Sequence, residues 1–185
     1  ALARQSHVQA LGRVDQVWPW LATHHGEVMA VDAPHAAHPE RFNYQQLAER
    51  IERAAAAFQQ LGLRVGDVVG LFAENSPRWL VADQGLMRAG GVDAVRGAAA
   101  PVEELRYILE DSKAVALVVQ TGDLLERLQL SADLQAQLRF VLVLEGEAPP
   151  GALDFDTFLS RADGHQPPDP IHPIATALRP IIERQ

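Results

Sequence analysis

Short apolar runs alternate along the chain with longer stretches in which apolar side chains recur every three or four residues. The runs cover residues 68–73, 92–95, 114–119 and 140–145, and the last of them is predicted to be the final strand. Residues 27–31 predict one more short strand nearer the start. Runs that are apolar on both faces are typical of the middle of a covered parallel sheet. Since helical stretches separate them, the pattern predicts an α/β fold, a mostly parallel sheet with flanking helices.

The clearest helical stretch follows Asn43. Asn43 is a good N-cap, and Gln46 three residues later completes a capping-box pattern. The apolar residues that follow, Phe58 among them, form one stripe at helical spacing, which predicts a buried face. Gly62 is the expected C-terminal stop of this helix.

A second helix is predicted to begin at Ser76-Pro77, where a hydroxyl cap precedes a proline at the first helical position. This helix is apolar nearly all round, so we expect it to be buried, with Leu86 in the core. Asp83 and Gln84 are polar positions within it. Two interpretations of them stay open: a hydrogen-bonded pair, or part of a surface on which the rest of a larger protein docks.

The remaining segments carry weaker signals. Residues 32–40 are predicted to be a turn-rich loop. Further helices are predicted over residues 13–24 with Pro19 as a candidate break, from Pro101, over 122–138 in two pieces, and over 155–162. Residues 1–163 are therefore predicted to form one α/β unit. Residues 164–185 are predicted to be a Pro-rich linker with a tail whose continuity with the rest is left open.

Composition and charge limit the function. The net charge is −8, which argues against a nucleic-acid partner because such binding requires clustered cations. Lys113 is the sole lysine of the sequence. The absence of cysteine excludes disulfides, thiolate zinc sites and a cysteine nucleophile, and is compatible with the cytoplasmic location that we expect. No apolar run approaches the roughly 20 residues that a transmembrane segment requires.

The turn after residues 68–73 is where many α/β proteins hold a nucleotide. A phosphate site at a strand-to-helix turn requires glycines, because the backbone must approach the phosphate oxygens closely. The turn sequence FAENSPRW contains no glycine, and Glu74 would repel phosphate. Neither GxGxxG nor GxxxxGK[ST] occurs in the chain. We therefore interpret this segment as a capped core helix.

The other candidate sites are weak. His24 and His25 are sequence neighbours, which point in different directions on a helix. His35 and His38 have a spacing found in metal sites, but no third ligand is indicated, so solvated loop histidines are preferred. Ser76 precedes a proline and lacks the GxSxG turn of a nucleophile. We predict no catalytic, cofactor-binding or metal-binding residue in the chain.

Four short motifs occur in a characteristic order: Asn43-Tyr44 with Leu47, Gly66-Asp67-Val68-Val69, Asn75-Ser76 with Trp79, and Ala89-Gly90-Gly91. Together they resemble the N-terminal region of adenylate-forming ligases, the acyl-CoA synthetase and luciferase superfamily, over roughly residues 14–165. Residues 76–90 are most similar to the bacterial and plastid long-chain fatty acid branch, which includes acyl–acyl carrier protein synthetases. Val95-Arg96-Gly97 departs from the commoner Val-Pro-x of the family.

The resemblance implies that residues 1–163 are the N-terminal subdomain of the adenylate-forming ligase fold. It implies a ligase that uses ATP and Mg to convert a long-chain fatty acid to acyl-adenylate, and then transfers the acyl group to CoA or to the phosphopantetheine of acyl carrier protein. It also implies the remainder of the ligase chain as a partner, and leaves peripheral membrane contact open.

The chemical motifs of that family are missing from this chain. The Gly-rich loop is absent, and Lys113 matches neither of the family lysines. This portion is therefore expected to be scaffold, inactive alone and without cofactors of its own. The rival interpretation is a stand-alone α/β binding or interaction module without catalysis, which the missing phosphate loop fits equally well.

Overall fold

The computed structural model describes residues 11 and 13–163. A 3-10 turn at Val14–Gln16 precedes the helices α1 (Val17–His25), α2 (Tyr44–Gln60), α3 (Pro77–Arg88), α4 (Val102–Asp111), α5 (Gly122–Leu128), α6 (Ala132–Gln137) and α7 (Phe155–Ser160). The strands are β1 (Met29–Ala33), β2 (Glu40–Asn43), β3 (Val68–Phe72), β4 (Val92–Arg96), β5 (Ala116–Thr121), β6 (Val141–Glu145) and β7 (Leu153–Asp154).

Five strands form one parallel sheet in the order β4-β3-β5-β6-β7. The prediction that residues 68–73, 92–95, 115–119 and 140–144 share a mostly parallel sheet is confirmed. The chain passes from β3 to β4 on one side and then returns to β5 on the other side of β3. The strand order therefore reverses between β3 and β5, and such a switch point leaves a crevice at the carboxyl ends of the strands.

Each face of the sheet is covered by its own set of helices. Helices α2, α3 and α7 pack on one face, where the Phe58 ring lies 4.6 Å from that of Phe158 and 5.9 Å from that of Phe140. Helices α4, α5 and α6 cover the opposite face. Phe58 and Leu86 are 0% and 1% exposed, so the prediction that both are core residues is confirmed.

The starts of α2 and α3 follow the predicted capping chemistry. Asn43 accepts from the backbone N–H of Gln46 at 2.9 Å, and the Gln46 side chain accepts from the Asn43 N–H at 3.0 Å. Ser76 Oγ accepts from the N–H of Trp79 at 3.1 Å. Both caps orient their helices against the same face of the sheet, so local sequence and packing agree here.

The two helices approach each other closely at a glycine. A Cβ on Gly85 of α3 would lie 2.5 Å from the Cβ of Ala54 on α2. Such a separation is too short for two carbon atoms, so the pair Gly85 and Ala54 sets the distance between α2 and α3.

Two strands were not predicted. Strand β2 pairs antiparallel with β1, whereas residues 32–40 were predicted to be a loop and no strand was predicted between that loop and the helix after Asn43. In β2 only Phe42 is buried, so the strand carries little of the alternation that marks a half-buried strand. Strand β7 follows β6, so residues 140–145 are not the final strand. Its two residues are too few for a periodic pattern.

Pro19 does not break the first helix. It is the third residue of α1, where the backbone N–H has no partner within the helix and proline is tolerated. The predicted helix over residues 13–24 is instead a short 3-10 turn followed by α1. The predicted linker and tail at residues 164–185 lie outside the described residues.

Candidate functional site

A cleft of about 430 Å³ lies at the carboxyl ends of β3, β5 and β6, under the loop that joins β1 to β2. We call it the hairpin cleft. Its polar lining consists of Asp32 and His35 from the hairpin, Glu74, Asn75 and Ser76 from the turn after β3, and Gln120 and Glu145 from the ends of β5 and β6. It is located at the switch point between β3 and β5, where ligands bind in folds of this class.

The turn from β3 into α3 is tied to strand β5 and to the loop after β4. The N–H of Glu74 donates to the side chain of Gln120, which lies in β5, at 3.1 Å. The Glu74 carboxylate in turn accepts a long bond of 3.4 Å from the N–H of Ala99, in the loop after β4. A Cβ on Gly97 would lie 2.9 Å from that carboxylate, so a side chain at position 97 would disturb the contact.

The lining of the hairpin cleft does not fit phosphate. Asp32, Glu74 and Glu145 are carboxylates, and none of the described residues that line the cleft is lysine or arginine. The turn at residues 73–76 supplies no glycine that would let its backbone approach an anion. The described residues therefore do not suit the phosphates of ATP. The prediction that the chain supplies no catalytic, cofactor or metal residue stays a prediction.

The histidines of the hairpin loop lie at the mouth of this cleft. His35 lines it, and the Nε2 atom of His38 lies 3.5 Å from a carboxylate oxygen of Glu145. Within residues 11 and 13–163, no cluster of three or more histidine, aspartate or glutamate side chains has the geometry of a metal site. His24 and His25 lie apart from these two, beside Trp20 in α1.

Next to the cleft, Arg78 is buried and joins three elements. Its guanidinium donates to the carbonyl oxygen of Leu144 at 3.0 Å and to Asp156 at 3.1 Å, and its Nε lies 3.5 Å from Glu40. The group also stacks over the Phe155 ring at 4.9 Å. This network anchors the start of α3 to the end of β6 and to α7.

Further along α3, a half-buried polar chain connects three elements. Trp18 of α1 donates from Nε1 to Gln84 at 2.6 Å, and Gln84 donates to the Asp83 carboxylate, also at 2.6 Å. Burial raises the pKa of Asp83 to about 6. The hydrogen bond from Gln84 opposes this shift, and the neighbouring Asp93 carboxyl of β4 reinforces it. The interpretation of Asp83 and Gln84 as a hydrogen-bonded pair is confirmed, and their place in a docking surface stays a prediction.

Several of these residues were not predicted. Arg78 is 7% exposed, and its signal in the sequence was a charge in the first turn of a helix that is apolar nearly all round. Gln120 and Glu145 lie at the carboxyl ends of β5 and β6, and because parallel strands end at one edge, the proximity of these two side chains could have been inferred. Lys113 lies in the turn before β5 with a positive φ of 53°. It does not line the hairpin cleft.

These features define the class of fold. The domain is a doubly wound parallel α/β structure with its crevice at the switch point. In that crevice the described residues provide acceptors and carboxylates where nucleotide-binding members of the class provide glycines.

Residues 18–178 match a family model described as AMP-binding enzyme. The chain belongs to the AMP-binding enzyme family. This agrees with the resemblance carried by the motifs between Asn43 and Gly91.

The relatives extend the comparison. A chloroplastic long-chain-fatty-acid–[acyl-carrier-protein] ligase of Arabidopsis thaliana is 38% identical over 134 residues, which is 72% of this chain and 18% of that ligase. A crotonobetaine/carnitine–CoA ligase of Escherichia fergusonii is 30% identical over 72% of this chain and 26% of its own. The chain thus spans about a fifth to a quarter of the length of these two relatives.

Solved structures agree in fold. A long-chain-fatty-acid CoA ligase structure from Rhodopseudomonas palustris superposes with a TM-score of 0.73 at 16% identity, covering 88% of this chain and 39% of that one. The apo structure of MbtA from Mycobacterium smegmatis has a TM-score of 0.69 at 31% identity, covering 86% and 28%. The α/β fold with a parallel sheet is therefore that of adenylate-forming ligases.

Proposed function

We propose that this chain is the N-terminal portion of a ligase that activates a long-chain fatty acid with ATP and transfers it to a thiol of CoA or acyl carrier protein. In the first step the acid's carboxylate attacks the α-phosphate of ATP, and pyrophosphate leaves. In the second step the thiol attacks the acyl carbonyl, and AMP leaves. The 38% identity with the chloroplastic ligase, together with the family match over residues 18–178, carries this proposal.

The described portion acts as scaffold in this proposal. Its hairpin cleft places carboxylates where anionic reactants would have to approach. Adenylation brings a carboxylate against an already anionic phosphate, so its transition state requires oriented N–H groups and positive charge. ATP, Mg and the thiol carrier are therefore assigned to the parent ligase, and residues of this chain are assigned no reacting role.

The experiment is ATP–pyrophosphate exchange with fatty acids of increasing chain length. We expect no exchange above background with the purified 185-residue chain, and exchange with the parent ligase that favours long chains. Lys113→Ala is the matched control because Lys113 is the sole lysine. Exchange by the 185-residue chain that disappears in Lys113→Ala would overturn the scaffold role.

The cellular location is a proposal as well. In the described residues no helix is long and apolar enough to span a bilayer. We propose a cytoplasmic location, with which the cysteine-free sequence is compatible. Cell fractionation with an antibody to the chain tests it, and enrichment in an organelle fraction would overturn it.

A further inference from the structure

Glu145 has an unsatisfied carboxylate oxygen at the hairpin cleft. The residue is 6% exposed, and its Oε2 atom accepts no hydrogen bond from the described residues. The imidazole beside it, with His38 Nε2 3.5 Å away, is beyond hydrogen-bond distance for a well-formed pair. Buried carboxylates are normally paired or hydrogen-bonded, since an unpaired one loses its hydration without compensation. Glu145 therefore requires a donor from elsewhere.

The surroundings of Glu145 define the kind of donor. Asp32 and Glu74 add two more carboxylates to the lining, and the Gln120 side-chain oxygen is already used by the N–H of Glu74. None of the described lining residues is lysine or arginine. A phosphate or a carboxylate would be repelled here, whereas a group with positive charge and several N–H donors would be attracted.

We propose that the hairpin cleft receives a cationic side chain, an arginine or a lysine, from the part of the parent ligase outside this chain, and that Glu145 is its acceptor. This inference rests on the proposed function, because it requires a longer polypeptide. The chloroplastic relative has more than four-fifths of its length outside the matched region. The donor takes the position that His38 now occupies beside the carboxylate.

The experiment compares Glu145→Gln in the 185-residue chain and in the parent ligase, by thermal unfolding. In the chain alone, the substitution removes a poorly paired buried charge, so the midpoint stays equal or rises. In the parent, it removes one partner of an ion pair, so the midpoint falls by about 2 °C or more. Equal shifts in both proteins, or no fall in the parent, would overturn the proposal.

Glu40→Gln is the matched control. Glu40 is a carboxylate of similar burial, with a side chain 13% exposed against 8% for Glu145. Its partners are within the chain, since Arg50 donates to it at 3.2 Å and Arg78 lies 3.5 Å away. Glu40→Gln should therefore lower the midpoint in both proteins, which establishes that the assay detects a lost ion pair in each.

Two additional measurements separate the outcomes. Agmatine, which carries a guanidinium and an ammonium group, should leave the midpoint of the parent unchanged because the cleft is filled there. If agmatine raises the midpoint of the parent and this rise is lost in Glu145→Gln, the cleft is an open site for a free cation, and the proposal of a cationic side chain is wrong. If the wild-type parent shows exchange activity but Glu145→Gln does not lower the unfolding midpoint of the parent, this inference is rejected and the proposed function is kept. If the wild-type parent shows no exchange, the proposed function is rejected, and the unfolding midpoints still show whether Glu145 has a cationic partner.

Discussion

Helix α3 buries an ionisable residue in its first turn and another in its middle, and it does so by different means. Arg78, in the first turn, is held by the carboxylates of Glu40 and Asp156. Asp83, further along the same helix, faces a second carboxyl group, Asp93. The first charge is neutralised by opposite charge, whereas the second is most stable when a proton neutralises it.

The difference predicts opposite responses to perturbation. A buried ion pair is costly to break because the remaining partner stays buried without its counter-charge. A buried acid beside another acid is instead relieved when its charge is removed. The stability of one helix therefore depends on keeping the charge of Arg78 and on losing the charge of Asp83.

Arg78→Met should have the largest effect. It leaves the Leu144 carbonyl without its donor and removes a buried counter-charge of Glu40, which keeps only Arg50, so we expect a loss of about 3–5 kcal/mol in the free energy of unfolding, measured by urea denaturation. Arg53→Met is the control, because its pair with Asp163 has side chains 47% and 69% exposed and should contribute at most about 1 kcal/mol. Equal losses in the two variants would contradict the role of burial at Arg78.

Asp83→Asn should act in the opposite direction. The folded-state pKa of Asp83 is raised to about 6 from 3.8. A raised pKa contributes stability that is fully present below the unfolded value and is lost as pH rises through the folded value. The wild-type chain should therefore lose stability, relative to Asp83→Asn, as pH rises from about 4 through about 6.

The size of that difference is modest. The full shift corresponds to about 3 kcal/mol, and solvent screening reduces the expected advantage of Asp83→Asn at pH 7 to about 1–2 kcal/mol. Unfolding curves of both proteins between pH 4 and pH 8 measure it. An advantage for Asp83→Asn that does not change with pH would show that the carboxyl keeps one protonation state throughout.

The contrast also separates what the sequence could predict from what it could not. The sheet, the capped starts of α2 and α3, and the core positions of Phe58 and Leu86 follow from periodicity and capping, which are local properties. Strand β2 was missed because its pairing with β1 is between segments of weak alternation. Local patterns do not report such pairing.

The polar networks could not be predicted from local sequence patterns, for a related reason. Arg78 contacts residues from β2, β6 and α7, and these are brought together only by the tertiary fold. The hairpin cleft likewise combines a hairpin loop with the ends of three parallel strands. The absence of a glycine turn after β3 could be read from the sequence, whereas the unsatisfied oxygen of Glu145 could not.

The smallest predicted effect tests how α1 depends on the polar residues in the middle of α3. Trp18→Phe keeps most of the ring but removes the N–H that donates to Gln84 at 2.6 Å, so it should cost about 0.5–1.5 kcal/mol. Gln84→Met removes the acceptor, and the double variant should lose less than the sum of the two single losses, because both changes break one bond. Urea denaturation of all four proteins measures this coupling. Because Gln84 also donates to Asp83, Gln84→Met should steepen the loss of stability with rising pH, whereas Trp18→Phe should leave that slope unchanged. Strictly additive losses would mean that α1 is held by the packing of the Trp18 ring alone.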